Sequence, residues 1–131
     1  MKKVLFVCVE NSGRSQMAEA FANYYGKGKV EALSAGTMPS KEVNPLVVKV
    51  MQEVGIDISK NKPKIIRTEM IEEADVGIIM GCSAQGFCPA LLLHKIIDWG
   101  IEDPKDKPIE EVRQIRDEIK TKVITLTNKI S

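Results

Sequence analysis

Cys8 and Arg14 are the two residues whose types and spacing best suit chemistry on an anion. A cysteine thiolate is a strong nucleophile, and the planar guanidinium of an arginine can bind two oxygens of a tetrahedral oxyanion. Ser15 follows directly and offers a hydroxyl group. The spacing predicts that Cys8 attacks a phosphate-like oxyanion held by a segment that we call the anion loop. The residues of the anion loop are Cys8, Val9, Glu10, Asn11, Ser12, Gly13 and Arg14.

The anion loop links a predicted strand to a predicted helix. The apolar run Lys3–Cys8 precedes it, and a helical pattern extends from about Ser15 to Gly26. A loop that enters a helix points unpaired N–H groups in one direction, and the helix dipole adds positive charge there. These dipoles, the Arg14 guanidinium and the Ser15 hydroxyl would together favour the ionised form of the Cys8 thiol.

The small polar residues of the loop support this interpretation. Gly13 permits a tight backbone path, and Asn11 can adopt left-handed geometry or hold the loop by side-chain hydrogen bonds. The pattern G-x4-G-K-[ST] is absent, so the loop is not an ATP-type phosphate loop. The alternative makes Cys8 a buried strand residue and Arg14 a surface charge. The flanking strand and helix favour the anion site.

Composition limits the class of protein and its partners. A chain of 131 residues, 44% hydrophobic and 28% charged, suits a single globular domain over residues 1–131. The net charge of +1 does not favour nucleic acid or an anionic membrane as the main partner. The run Val4–Val9 is too short for a signal peptide, which predicts a cytoplasmic protein. Three cysteines in that compartment indicate thiol chemistry or simple burial, not a disulfide scaffold.

Strands and helices alternate along the rest of the chain. This order predicts an α/β fold in which a four-stranded parallel sheet is covered by helices on both faces. Besides the first strand and helix, we expect strands at Val30–Ser34, Val76–Met80 and Lys95–Asp98, and helices from Asn44-Pro45 to Gly55, from Thr68 to Ala74 and from near Pro108 onward. Ligands of such sheets bind beyond the carboxyl ends of the strands. Cys8, Ser34, Cys82 and Asp103 should therefore meet at one edge.

The motif C-x5-R-S after the first strand resembles the signature of the low-molecular-weight tyrosine phosphatase superfamily. The wider match resembles its thioredoxin-coupled arsenate reductase branch and covers nearly the whole chain. The matching motifs are N-S-x-R-S-Q-M-A-E from Asn11, S-A-G from Ser34, N-P at Asn44, G-I-D-I-S from Gly55, A-D at Ala74, C-P at Cys88, W-G-x-x-D-P from Trp99 and V-R-x-x-R-D-E-I from Val112. The resemblance implies a flavodoxin-like three-layer sandwich.

The resemblance also implies catalytic roles. Asp103, with Asp98 in reserve, would protonate the leaving oxygen. Cys8 would form an adduct with arsenate, Cys82 would attack Cys8 and release arsenite, and Cys88 would attack Cys82. Thioredoxin would then reduce the Cys82–Cys88 disulfide, and no bound cofactor or metal is implied.

Two features separate this reductase from its alternatives, and one departure sets it apart from similar reductases. In a phosphatase, Cys82 and Cys88 would be small core side chains, but phosphatases of this family usually carry tyrosine after the Asp-Pro pair, where this chain has Lys105. The central thiol of similar reductases falls one residue earlier, at Gly81. A zinc site formed by both cysteines and His94 would lack the usual C-x2-C spacing.

Some members of the family bind potassium beside the anion loop. The resemblance assigns three of the ligands to residues matching Asn11, Glu19 and Ser34. The fourth ligand is an aspartate in those members, and Lys64 occupies its position in this chain. Because the ammonium group of Lys64 could replace the ion, we predict no requirement for potassium.

Overall fold

The computed structural model describes residues 1–81 and 96–130. Within these ranges the chain forms four strands and four helices in the order that the sequence predicts, including two consecutive helices between the second and third strands. In chain order they are β1 Lys2–Cys8, α1 Arg14–Tyr25, β2 Val30–Gly36, α2 Pro45–Glu53, α3 Thr68–Glu73, β3 Val76–Ile79, β4 Ile96–Asp98 and α4 Ile109–Ile130.

The four strands form one parallel sheet in the order β2-β1-β3-β4. This confirms the predicted fold class. The register places Cys8, the last residue of β1, opposite Gly36, the last residue of β2. Because all strands run in the same direction, their carboxyl ends meet at one edge, and the anion loop leaves the sheet there.

The expected end of β2 is wrong. Ser34 does not end β2, because the pairing with β1 continues for two more residues to Gly36. The Ser34 side chain is fully buried, and Ser34 pairs with Phe6 inside the sheet. It therefore lies below the anion loop and not at the end of the strand.

Helices cover both faces of the sheet. Along β1, Val4, Phe6 and Cys8 join a large buried cluster that includes residues of α1, α2 and α4. Leu5 and Val7 point to the opposite face and pack with a smaller cluster that includes α3. This alternation follows from the two-residue period of a strand.

The long helix α4 follows the predicted apolar pattern. Its buried apolar residues recur at steps of three or four, so they form one face against the core. They are Val112, Ile115, Ile119, Val123 and Leu126. No helix within the described parts of the chain is both long enough and apolar enough to cross a membrane.

Candidate active site

The anion loop is shaped from outside by backbone hydrogen bonds. Four of its carbonyl oxygens accept bonds from amides in the segment that follows β2. These bonds run from the amides of Thr37, Met38, Ser40 and Asn44 to the carbonyl oxygens of Cys8, Val9, Glu10 and Ser12, at 3.3, 2.8, 3.0 and 2.8 Å. Since these carbonyls are held on the outer side, the loop can present its N–H groups inward as a nest for an anion.

The inner side of the loop converges on the Cys8 sulfur. The Asn11 amide donates to Cys8 Sγ at 3.2 Å, and Ser15 Oγ lies 2.8 Å from the same atom. Ser15 Oγ already accepts a hydrogen bond from Asn11 Nδ2 at 2.7 Å, which leaves its own hydrogen free to donate to the sulfur. The Asn11 amide and the Ser15 hydroxyl group can therefore both donate to the sulfur atom that is predicted to attack the oxyanion.

Asn11 holds the loop in both of the ways that the sequence suggests. Its backbone is left-handed, with φ at 52°, and its side chain is fully buried. The side-chain amide donates to Ser15 and to Ser34 Oγ, while its oxygen accepts from Gln16 Nε2 at 3.1 Å and from the Lys64 amide at 2.8 Å. The anion loop is thus tied to α1, β2 and the segment before α3.

Gln16 is a site residue that the sequence reasoning missed. It is fully buried, and its Nε2 also donates to the main-chain oxygen of Asn11 at 3.2 Å and to that of Lys62 at 3.3 Å. The available signal in the sequence was a polar residue within a buried helical turn. Gln16 supports the anion loop by fixing the position of Asn11.

The first turn of α1 faces the space that the anion loop encloses, which we call the oxyanion pocket. The helix begins at Arg14, with Gly13 at the cap position, and no side chain among the described residues caps that turn. Its free amides are therefore available to an anion, as predicted. The structure adds a second reason for glycine at position 13. A β-carbon there would lie only 3.0 Å from Pro104 Cγ, so the residue also permits close packing.

Arg14 is buried and anchored to the sheet. Its Nη1 donates to the carbonyl oxygens of Met80 at 2.6 Å and Ile101 at 2.9 Å. One arm of the guanidinium thus fixes the position of the side chain. An oxyanion would meet the other nitrogens of the guanidinium.

Asp103 lies on the other side of this guanidinium. Its Oδ2 is 3.7 Å from Arg14 Nη2, and its Oδ1 accepts from the Lys105 amide at 3.0 Å. Its side chain is 39% exposed, so protons can reach it from solvent. Asp98, the reserve candidate, instead accepts from the Gly100 amide at 2.8 Å in an exposed turn. The structure therefore brings Asp103, and not Asp98, to the predicted site.

Cys82, Cys88 and His94 lie outside the described residues. The preceding Gly81 is described, and it has φ at 98°. A β-carbon at Gly81 would lie 2.9 Å from the carbonyl oxygen of Ile101 and 3.1 Å from Arg14 Nη1. A side chain at this position would therefore be strained and crowded, which gives a physical reason for glycine where similar reductases carry their central thiol.

A second polar cluster lies beneath the loop. Ser34 Oγ donates to Glu19 Oε1 at 2.7 Å, and Lys64 Nζ is 3.6 Å from the same carboxylate oxygen. The lysine thus supplies positive charge next to Glu19, as the sequence suggested. Within residues 1–81 and 96–130, no group of three or more His, Cys, Asp or Glu side chains is arranged to hold a metal ion.

Comparison with known proteins assigns the family. A glutaredoxin arsenate reductase of Synechocystis sp. is 41% identical, with all of both chains covered. A structure described as an arsenate reductase in the phosphate binding state superposes with a TM-score of 0.90, at 40% identity over the whole of both chains. A thioredoxin-dependent arsenate reductase of Corynebacterium glutamicum gives a TM-score of 0.82 at 36% identity, over 99% of this chain and 62% of that one. The family model for low molecular weight phosphotyrosine protein phosphatases matches residues 3–131, and the chain belongs to this family.

Proposed function

We propose that this chain is a cytoplasmic, single-domain enzyme that reduces arsenate to arsenite, with Cys8 as the nucleophile. The observation that carries the proposal is the Cys8 sulfur itself, which lies 2.8 Å from Ser15 Oγ and 3.2 Å from the Asn11 amide in a loop whose carbonyls are turned away. The full-length relatives named as arsenate reductases, one of them with a structure in a phosphate-binding state, support this choice of oxyanion.

In the first step, the anion loop binds arsenate. The inward amides and the Arg14 guanidinium bind its oxygens, and Cys8 Sγ attacks the arsenic atom. One arsenate oxygen leaves as water, with a proton donated by Asp103. The product is a Cys8 thiol–arsenate adduct in which arsenic is still pentavalent.

The next two steps are proposed to use the remaining thiols. The Cys82 thiolate attacks Cys8 Sγ, the electron pair of the S–As bond passes to arsenic, and trivalent arsenite is released. Cys88 then attacks Cys82, which regenerates the Cys8 thiolate and leaves a Cys82–Cys88 disulfide. Each turnover therefore moves two electrons from protein thiols to one arsenic atom. Arg14 donates to the carbonyl oxygen of Met80, two residues before Cys82, which supports a central thiol one residue later than in similar reductases.

Thioredoxin is the proposed reductant of that disulfide. A dithiol protein supplies the two electrons by thiol–disulfide exchange, so the enzyme needs no bound cofactor. One relative is named a thioredoxin-dependent arsenate reductase, and another is named a glutaredoxin arsenate reductase. The assay should therefore supply each reductant separately.

Hydrolysis of phosphate monoesters is the second candidate, because Cys8, Arg14 and Asp103 are also the residue types that its first step needs. Cys8 would attack phosphorus, Asp103 would protonate the leaving alcohol, and water would hydrolyse the phosphocysteine. The family to which the chain belongs is described by this activity. The two reactions diverge only after the adduct has formed, since only the reduction needs Cys82 and Cys88.

The test compares arsenate-dependent oxidation of thioredoxin with hydrolysis of an aryl phosphate. The wild type, Cys8→Ser, Cys82→Ser and Cys88→Ser are assayed for both reactions, with glutaredoxin and glutathione as the alternative reductant. We expect Cys8→Ser to lose both activities. Cys82→Ser should release no arsenite, because Cys82 attacks the adduct, but it should retain any hydrolysis of the aryl phosphate.

Two results would contradict the proposal. Unchanged arsenate turnover in Cys82→Ser would remove that thiol from the mechanism. Efficient hydrolysis by a wild type that does not reduce arsenate with either reductant would establish the phosphatase instead.

A further inference from the structure

An ion pair joins the two segments that flank the oxyanion pocket. Lys105 Nζ lies 3.3 Å from Glu10 Oε2, although the two residues are 95 positions apart in sequence. Glu10 belongs to the anion loop, and Lys105 follows Asp103 and Pro104. A carboxylate within an anion-binding loop would repel a bound oxyanion. The ion pair with Lys105 offsets this repulsion.

The two segments also meet at two other points. Pro104 packs against Gly13 closely enough that a β-carbon at Gly13 would lie 3.0 Å from Pro104 Cγ. Asp103 Oδ2 lies 3.7 Å from Arg14 Nη2. These contacts involve the end of the anion loop, whereas Glu10 lies near its beginning. The segment that carries Asp103 therefore contacts the anion loop near the beginning of the loop, at Glu10, and at its end, at Gly13 and Arg14. The oxyanion pocket lies between these two points of contact.

The backbone of Lys105 is fixed as well. Its amide donates to Asp103 Oδ1 at 3.0 Å, so the residue that pairs with Glu10 also orients the proposed acid. The Lys105 side chain is 61% exposed and that of Glu10 is 32% exposed, which places the pair at the solvent side of the site. Because Cys8, Asn11 and Arg14 are buried, a group attached to the fourth oxygen of a bound oxyanion would have to point away from them, toward solvent.

We propose that Glu10 and Lys105 form an ionic latch over the mouth of the oxyanion pocket, which admits small free oxyanions and disfavours phosphate esters. The latch deepens the proposed function and rests on it, because arsenate is a free oxyanion and an aryl phosphate is not. Lys105 also neutralises Glu10, so that a charged latch does not repel the substrate. Glu10 and Lys105 are then specificity-determining residues that need not touch the reacting atoms.

Binding measurements test the latch without turnover. In the Cys8→Ser protein, inorganic phosphate and phenyl phosphate are titrated by calorimetry at about pH 8, where both ligands are dianions. The variants are Lys105→Met, Glu10→Gln and the double substitution. Lys27→Met is the matched control, because it removes the same charge from an exposed residue between α1 and β2, at the opposite edge of the sheet.

The ratio of the two affinities is the decisive quantity. Lys105→Met should weaken and Glu10→Gln should strengthen the binding of both anions, because their charge changes are opposite. Both variants should nevertheless shift the ratio toward phenyl phosphate, by up to about fivefold for an exposed pair. The double variant should shift the ratio no further than either single one, and Lys27→Met should not shift it.

An unchanged ratio in both single variants would overturn the latch and leave a purely electrostatic role. Opposite shifts of the ratio in the two variants would overturn it equally. The outcome is independent of the proposed function, since a chain that fails to reduce arsenate can still show the shift in phosphate binding. A chain that reduces arsenate but shows no shift retains its function without a latch.

Discussion

Asn11 is the residue whose replacement best tests how the anion loop is held. Its side chain donates hydrogen bonds to the hydroxyl oxygens of Ser15 and Ser34 at 2.7 and 3.0 Å. It accepts bonds from Gln16 Nε2 and the Lys64 amide at 3.1 and 2.8 Å. The substitution Asn11→Ala removes all four bonds and forces an alanine to adopt φ at 52°.

The expected loss of stability follows from two contributions. Left-handed geometry costs an ordinary residue about 1 to 2 kcal/mol, and asparagine tolerates it better. The Lys64 amide loses its acceptor, and a buried donor left without one costs about 1 to 3 kcal/mol. Ser34 still donates to Glu19, and Gln16 still donates to the main-chain oxygen of residue 11. We therefore expect Asn11→Ala to lower the free energy of unfolding by about 2 to 4 kcal/mol.

Two further variants separate these contributions. Asn11→Gly removes the same hydrogen bonds without the φ penalty, so it should be about 1 kcal/mol less destabilised than the alanine variant. Asn23→Ala is the matched control, because Asn23 also forms two hydrogen bonds, at 2.9 and 3.2 Å, but with the backbone of Ala32. It should lower stability while leaving the affinity for phosphate unchanged.

Urea unfolding gives the free energies, and calorimetric titration with inorganic phosphate reports on the anion loop. Asn11→Ala and Asn11→Gly should both bind phosphate more weakly than the wild type under conditions where each is folded. An alanine variant that loses less than about 1 kcal/mol and binds phosphate normally would refute the reasoning. Equal stability of the alanine and glycine variants would refute the φ contribution alone.

Two other predictions concern charged clusters. The hydrogen bond from Arg113 lowers the pKa of Glu53 from 4.5 to about 2. The ionised carboxylate therefore stabilises the fold fully at pH values above the unfolded-state pKa of 4.5, and this contribution is lost as the pH falls toward 2. Urea unfolding should show that Glu53→Gln is less stable than the wild type near neutral pH and that the difference shrinks at low pH; a constant difference would contradict the assignment. Because the Lys64 ammonium lies 3.6 Å from Glu19, exchanging sodium for potassium at constant ionic strength should not change the rate of arsenate reduction, and specific stimulation by potassium would contradict this.

The sequence predicted the nucleophile half of the site because every signal there is local. The apolar run before Cys8, the helical pattern after Ser15 and the C-x5-R spacing fall within one continuous stretch. Topology then placed Asp103 at the same edge, since parallel strands share their carboxyl ends. The structure brings Asp103 to within 3.7 Å of Arg14, as that argument requires.

Several features that the sequence did not predict depend on contacts between distant segments. The Lys105–Glu10 pair spans 95 positions, and no periodicity within either segment predicts it. Gly13 is needed because Pro104 packs against it, whereas local reasoning could suggest only a tight turn. The end of β2 was placed too early because its length is set by pairing with β1, and apolar character alone does not show the register.

The electrostatics of the site explain why a chain of net charge +1 can hold a highly charged anion. The positive potential comes from oriented amides and one guanidinium, not from an excess of lysine and arginine. The segment 37–44 holds four of the loop carbonyls outside, which lets the amides face the anion, and the guanidinium is fixed because one of its arms binds two main-chain oxygens. Substrate binding then requires little reorganisation, because these dipoles are already oriented in the folded chain. Substitutions that disturb the supporting residues should therefore weaken oxyanion binding even where they remove no charge, whereas loss of a surface lysine far from the pocket should have little effect.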